Sequence, residues 1–452
     1  MYNADTFSKA SSNIEGVVKS TADRAKKNGA DESHIVGKIT FDKNLTCENY
    51  KLTLASSSDA QSIGVKVHKG QKKGTASLNS LHDREVEETV KSALELSSFS
   101  LPDPFLNLPE KSLAGPTKPL GFLFDEDLFD VSSDYLKSLM LEAIAKVKAK
   151  PKIALERLDV SVGFSFDCLA NSHEVFRSEK QSMINWSYVG MAKDGDEVSG
   201  MDYNSGFAFK KDGFEKHFFA DLDIFCDKVL KNLDPKPCPS YKGPVVFSAR
   251  AFEEIILGVL LFHASGRSVM DGKSKWTEKK GAKVASESLT IIDNPFDPRL
   301  TGATSYDADG LATKKLDIIH GGVLKTFLLD CYSSKKLGTT SNACAGAPFG
   351  LNVMAGHTQD KDLTRVGPKQ ILYVDRFSGN VDSLTGDFSG VAKSSHLYEN
   401  GQHMHAVTET MIAGNVFDVV CNILALGTTQ HVISGDFASP DLVADGVTVS
   451  GS

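Results

Sequence analysis

The apolar positions Phe7, Ala10, Ile14, Val17, Val18, Ala22 and Ala25 recur at the three- and four-residue steps that line one face of a helix. Asn28-Gly29 follows and supplies the helix stop. The period then changes. Alternating stretches at 35–41, 45–54, 63–67 and 75–78 predict strands. Lys69, Lys72 and Lys73, set beside Gly70 and Gly74, read as a solvated hairpin tip. A helical stripe returns near Asp83 with Val86, Val90, Ala93 and Leu94. Helix, strands, helix is the pattern of an α+β unit with an antiparallel sheet.

The same logic repeats downstream. Leu136, Leu139, Met140, Ala143, Ile144 and Val147 form a helical stripe, runs at 157–166, 174–180 and 182–191 predict strands, and a helix over 214–230 closes the second unit. The last unit is rich in turns. Residues 244–247 predict a strand, and Ser248 is placed to cap an apolar helix over 249–264. Apolar side chains surround most of that helix, which predicts burial. His320-Gly321-Gly322 and Asn400-Gly401 each sit between apolar runs and predict hairpins. Prolines mark the joints: five fall at Pro102, Pro104, Pro109, Pro116 and Pro119, and four at Pro235, Pro237, Pro239 and Pro244. The expected organisation is an N-terminal α+β domain (1–100), a Pro-rich linker (101–119), a middle α+β domain (120–234) and a C-terminal β-rich domain (235–452). The fold class is α+β, two smaller units with antiparallel sheets packed on a larger, barrel-like β domain.

Composition narrows the function. A net charge of −8 argues against nucleic acid, which is bound through a basic domain or stripe. The longest apolar run, 255–262, is far short of the ~20 residues that span a bilayer. The start, Met1-Tyr2-Asn3-Ala4-Asp5, shows no basic flank or apolar core of a signal peptide. Seven cysteines without a Cys-x-x-Cys pair predict reduced thiols, and with them a cytoplasmic protein.

The stretch from Ile255 to Arg267 carries the first chemical signal. An apolar helix ending in this way is where a zinc peptidase places its ligands, but the positions that would coordinate metal read Phe262 and Arg267. Phenylalanine has no donor atom and a guanidinium is always charged, so neither binds a cation. A series of further motifs follows: Asn294-Pro295-Phe296, 302–310, 322–333, Thr340-Ser341-Asn342-Ala343, 385–390, Glu399-Asn400-Gly401, Ile412-Ala413-Gly414-Asn415 and 445–451. In order and spacing the chain resembles the TldD/PmbA family, whose members have been called modulators of DNA gyrase. Gly29-Ala30-Asp31 also fits the family's N-terminal domain.

One branch of that family, TldD, carries His-Glu-x-x-x-His on this helix and completes a zinc site with a later cysteine. Aligned on Gly258-Val259-Leu260-Leu261, the first His falls on Phe262, the Glu on His263 and the last His on Arg267, while 427–440 holds no cysteine. The resemblance is therefore to the other branch, PmbA/TldE. It implies a subunit of a cytosolic metallopeptidase complex that processes small, unfolded or extended polypeptides. Zinc is expected in a TldD-type partner and no cofactor in this chain; no residue here is assigned a catalytic role.

Other candidates are weaker. His403 and His405 lie two apart after a turn, so a regular strand points both to one face; with no third ligand in view, exposed strand polarity accounts for them better than a metal. Asp307-x-Asp309-Gly310 begins like a calcium loop but has Ile318 where the glutamate belongs, and reads as a turn. His263, Cys331 and Cys344 lack partners at recognisable spacing and read as buried structural residues. Arg267 suits the helix dipole and predicts either an ion pair at the helix end or a cation standing where metal stands in the zinc-bearing branch. The leading reading is a peptide-binding subunit with a zinc-bearing partner. Its rivals are a non-catalytic homodimeric scaffold and an autonomous metallohydrolase using His403 and His405.

Overall fold

The computed structural model describes residues 3–408 and 410–451. Met1 and Tyr2, on which part of the N-terminal reading rests, lie outside them. The first helix, α1 (Ala4–Lys27), is capped by the Asn3 side chain and buries Phe7, Ile14, Val18, Ala22 and Ala25. Strands β1 (Glu32–Glu48), β2 (Lys51–Lys69) and β3 (Lys72–Leu78) follow, with α2 (Asp83–Phe99) behind β3. Gly74 makes that packing possible: a Cβ there would lie 1.9 Å from the Ala93 carbonyl oxygen. Next come α3 (Ser133–Lys148), β4 (Ile153–Asn171), β5 (Phe176–Asp194), β6 (Glu197–Val198), β7 (Asp202–Ala208) and α4 (Phe214–Lys231).

Two predicted boundaries are corrected. The strand read at 45–54 is the end of β1, a turn, and the start of β2. Asn49 and Tyr50 turn the chain with φ of 48° and 64°. A tyrosine is an unusual choice there, and its hydroxyl is anchored by donating to the Ile153 carbonyl (2.9 Å) and accepting from the Leu155 N–H (3.0 Å). The runs at 174–180 and 182–191 are one strand, because alternation continues through Gln181.

The two α+β units meet edge to edge. β1 pairs antiparallel with β4, from His34 opposite Asn171 to Glu48 opposite Arg157. A single 7-stranded sheet results, in the order β3-β2-β1-β4-β5, with β6 and β7 both on β5. Helices α1, α2, α3 and α4 share one continuous apolar core with it. The Pro-rich segment is a strap: Tyr332 donates to Asp103 (2.8 Å), Lys335 to the Leu106 carbonyl (2.9 Å), and the Ala312 N–H to the Ala114 carbonyl (2.8 Å).

The C-terminal region folds round a second core. Strand β8 (Tyr241–Phe247) lies inside a curled 9-stranded sheet, between Leu442–Ser450 and Gln370–Val374. A 6-stranded sheet completes the region and ends at His431–Ile433. Both predicted hairpins form, with positive φ at Gly321 and Gly322 and at Asn400 and Gly401. The mixed α+β class with a half-barrel C-terminal sheet is the one expected. No helix among the described residues is long and apolar enough to cross a membrane.

Candidate functional site

The buried helix α5 covers 249–264 in three registers: α at Ala249–Ala251, π at Phe252–Leu257 and α again at Gly258–Ala264. Ser248 caps it, its hydroxyl oxygen accepting from the Ala251 N–H at 3.0 Å. The helix stops at Ser265, which turns extended and caps the short α6 (Gly266–Met270) by accepting from the Arg267 N–H at 3.2 Å. Gly266 is needed at this corner, since a Cβ would fall 2.8 Å from the Leu328 carbonyl oxygen. Phe262 and His263 therefore lie on one helix and Arg267 on the next.

His263 is wholly buried, with ring centroids 5.0 Å from Phe417 and 5.9 Å from Trp276. Its Nδ1 accepts from the Lys275 N–H at 3.0 Å, and its carbonyl accepts from the Ser274 hydroxyl at 2.7 Å. Burial, with the Lys275 ammonium adding to it, holds the imidazole below its ordinary value, so it is neutral. Phe262, half-buried, meets the His263 ring edge-on at 5.1 Å. Arg267 is 72% exposed and pairs with Asp271 at 3.1 Å, the plain ion pair rather than a cation held in a site. These groups do not fit zinc: one has no donor, one is a charged cation in solvent, and one is sealed in an aromatic cage. Among the described residues no group of three or more His, Cys, Asp or Glu side chains is placed to hold a metal ion.

The expectation that His403 and His405 share a face fails. Their strand carries a bulge at Met404, so His403 lies opposite Tyr398 and His405 opposite Leu397, on alternate faces. His403 Nε2 instead meets His396 Nδ1 at 3.1 Å, and His405 Nδ1 bonds the Ala406 carbonyl at 2.9 Å. Asp307 is a turn-former as read: one oxygen accepts from the N–H groups of Asp309 (3.0 Å) and Leu311 (2.8 Å), the other from Ala345 (3.1 Å). Cys331 and Cys344 are buried, and burial pushes both thiols up, Cys344 to about 12, which leaves neither a thiolate.

A cleft with a polar floor lies elsewhere. Two sheets end facing one another, β7 from the N-terminal sheet and His431–Ile433 from the 6-stranded sheet. Tyr203, Asn204 and Ser205 form one wall and His431, Val432, Ile433 and Ser434 the other, round a cavity of ≈ 530 Å³. A second cavity of ≈ 460 Å³, lined by Phe207, Trp186, Arg299 and Val432, continues along the same strands. The Ser205 and Ser434 hydroxyls meet across the gap at 3.2 Å.

The floor is the first turn of α5. Arg250 donates to Asp202 and to Asp375, each at 3.1 Å, and lies 4.4 Å from the centre of the Tyr203 ring. Burial works against the ionised Asp202, but Arg250, the Ser394 hydroxyl, the Tyr203 N–H and Lys228 together override it and hold the carboxyl low. Asp441 accepts from the Ala249 N–H (3.0 Å) and the Tyr373 hydroxyl (2.7 Å), and burial pushes it up. Glu253, in the π segment, rises to about 7 through burial and the neighbouring Asp436 and Glu254. Two terminal strands with a polar floor offer main-chain pairing to an extended chain. Sequence reading found none of these residues, because no local pattern links Asp202, Arg250 and Asp375.

Residues 240–451 match the model of the PmbA/TldA metallopeptidase C-terminal domain, and residues 40–97 that of PmbA/TldA metallopeptidase domain 1. The chain is 26% identical over 394 residues to the metalloprotease PmbA of Escherichia coli O157:H7, covering 84% of each. It is 27% identical over 409 residues to a metalloprotease PmbA homolog of Haemophilus influenzae, covering 86% of each. TldE from Thermococcus kodakarensis shares the fold with a TM-score of 0.86 at 20% identity, over 96% of this chain and 100% of that one.

Proposed function

The chain belongs to the PmbA/TldD family, and from that premise we propose that it is a PmbA/TldE-like, peptide-binding subunit whose zinc chemistry is carried by a TldD-type partner. The observation that carries this reading is the triplet Phe262, His263 and Arg267. Where the zinc-bearing branch has its two ligand histidines this chain has a hydrocarbon ring and a solvated guanidinium, and where that branch has the motif glutamate it has a caged neutral imidazole. Relatives named metalloproteases support a peptidase-type role for the assembly.

This chain's own contribution is to bind and orient. A peptide entering between β7 and His431–Ile433 gains main-chain hydrogen bonds whatever its side chains, which suits small or unfolded polypeptides of varied sequence. The Arg250 cluster fixes the floor of that cleft so that little of it must be ordered on binding. The seven free cysteines, six of them buried, support action in a reducing compartment such as the cytoplasm.

A peptide-degradation assay on this chain, on a TldD-type protein and on the two together tests the proposal. The chain alone should be inactive and the mixture active, with activity lost to a chelator and to mutation of the partner's motif glutamate. Equal activity with and without this chain would leave the homodimeric scaffold reading in its place.

A further inference from the structure

Among the described residues, Asp221 is the one charged side chain that lines both cavities of the cleft. It stands half-buried on α4 without an ion-pair partner among those residues. The Trp186 indole N–H donates to one of its oxygens at 2.8 Å, and the Asn204 amide to the other at 3.4 Å. The other buried charges of the cleft are matched: Asp375 has Arg250 at 3.1 Å, and Asp441 has the Tyr373 hydroxyl and the Ala249 N–H. Arg299 has Asp297 at 2.7 Å, while Lys210, Asp212 and His217 are exposed. Burial holds the Asp221 carboxyl above its ordinary value, although Trp186, Asn204, His217 and Lys228 all favour its charge. An ionised group so placed gains from a cation that the chain itself does not supply.

Gly206 opens the way to it. This glycine lies opposite Trp186 in the pairing of β7 with β5. A Cβ there would fall 2.2 Å from an Asp221 carboxylate oxygen and 2.7 Å from the Trp186 ring. The missing side chain leaves its place to that carboxyl, on the sheet face that α4 covers. Residues opposite one another on neighbouring strands share a face. A peptide strand laid along the outer edge of β7 therefore turns the side chain opposite Gly206 towards Asp221. Opposed Cβ atoms stand about 5 Å apart, so a side chain of lysine or arginine length covers the distance. Val432 and the Trp186 ring line the same space and suit its apolar stem.

We infer that Asp221 is a subsite for a positively charged nitrogen of the bound peptide, supplied by a lysine or arginine side chain opposite Gly206 or by the terminal ammonium. The inference rests on the peptide-cleft reading above and adds a charge preference to main-chain pairing that is otherwise indifferent to sequence.

Fluorescence anisotropy on the full chain tests it, with short extended peptides of Ala, Ser and Thr that carry a dye at the C-terminus. An N-acetylated peptide with one central lysine should bind wild type roughly tenfold tighter than the same peptide with norleucine. A norleucine peptide with a free N-terminus tells the two sources apart: lysine-like affinity assigns the terminal ammonium to the subsite as well, and norleucine-like affinity assigns the side chain alone. Asp221→Asn keeps an oxygen for the Trp186 N–H and removes the charge. It should bind all three peptides alike, at the affinity of the acetylated norleucine peptide. Equal binding of the three by wild type would overturn the subsite and leave the cleft standing, and that comparison needs no variant to fold. A lysine preference that persists in Asp221→Asn would do the same. No binding of any peptide would overturn the cleft and the subsite with it.

Discussion

Arg250 and Asp202 meet at 3.1 Å with side chains 6% and 1% exposed, and they join the two halves of the molecule. Asp202 begins the last strand of the N-terminal sheet, and Arg250 lies in the first turn of the central C-terminal helix. The same guanidinium reaches Asp375 at 3.1 Å, so one cation holds two carboxylates from different parts of the fold. Lysine, a point charge, cannot span them as the planar fork does.

Removing that cation leaves Asp202 with Arg376 at 3.7 Å and Asp375 with Lys228 at 4.0 Å as their remaining ion-pair partners among the described residues. Arg250→Ala should cost about 3–5 kcal/mol, and Arg250→Lys should recover only part of it. The pH dependence follows from the lowered Asp202 carboxyl. Its stabilising contribution is full above the unfolded carboxylate value and lost as pH falls through the depressed folded one. Thermal melts of wild type and Arg250→Ala from neutral to acid pH should therefore converge on acidification. Curves that stay a constant distance apart would show that the contribution does not come through the Asp202 ionisation.

Asp293 carries the opposite sign. It is fully buried; one carboxyl oxygen accepts from the N–H groups of Phe349 (2.9 Å) and Gly350 (2.6 Å), and the other has no partner among the described residues. Burial raises it to about 6. The fold thus prefers the protonated form, whose contribution is full below the unfolded value and lost as pH rises through about 6. Asp293→Asn keeps the accepting oxygen without the charge. It should stabilise the protein by up to about 3 kcal/mol in mildly alkaline buffer and by little near pH 4. Denaturation at the two pH values decides it.

Much of this architecture was legible because the signals are local. All six apolar residues of the stripe from Leu136 to Val147 are buried, Ser248 caps its helix, and Asn400-Gly401 turns its hairpin. The misreadings have physical causes. Asn49-Tyr50 hides a turn because the tyrosine's left-handed backbone is held by β4, more than a hundred residues away in sequence. The bulge at Met404 is set by pairing with the preceding strand, which alternation cannot report. The cleft was invisible for the same reason: Arg250 lies 48 residues from Asp202 and 125 from Asp375. The degenerate positions Phe262 and Arg267 could be read as residues, but the corner at Ser265 that puts them on separate helices could not.

His396 is buried beneath His403, and burial together with His403, Lys231 and His405 lowers it to about 4 against a raising contribution from Asp202. The neutral ring is the folded form. Its contribution is complete above the unfolded value near 6.5 and lost as pH falls through about 4, up to about 3 kcal/mol in all. His396→Gln should flatten the stability profile over that interval while leaving neutral-pH unfolding nearly unchanged. Titrating the ring by NMR gives a direct check, and a value near 6.5 would remove the basis for the prediction.

His263 separates a structural role from a chemical one. Its ring fills space between Trp276 and Phe417, and its Nδ1 is the acceptor for the part-buried Lys275 N–H. His263→Ala leaves a void and an unsatisfied donor, together about 2–4 kcal/mol, whereas His263→Gln retains an acceptor and should cost less. Neither change should alter peptide cleavage by a mixture with a TldD-type partner at a temperature where both variants are folded. Nor should either alter metal content, because the purified chain is expected to carry no stoichiometric zinc. Elemental analysis checks the second point. About one tightly held zinc per chain, lost on mutating His403 and His405, would favour an autonomous hydrolase. Cleavage that fell with His263→Ala in step with neither stability nor partner binding would place the imidazole in the chemistry after all.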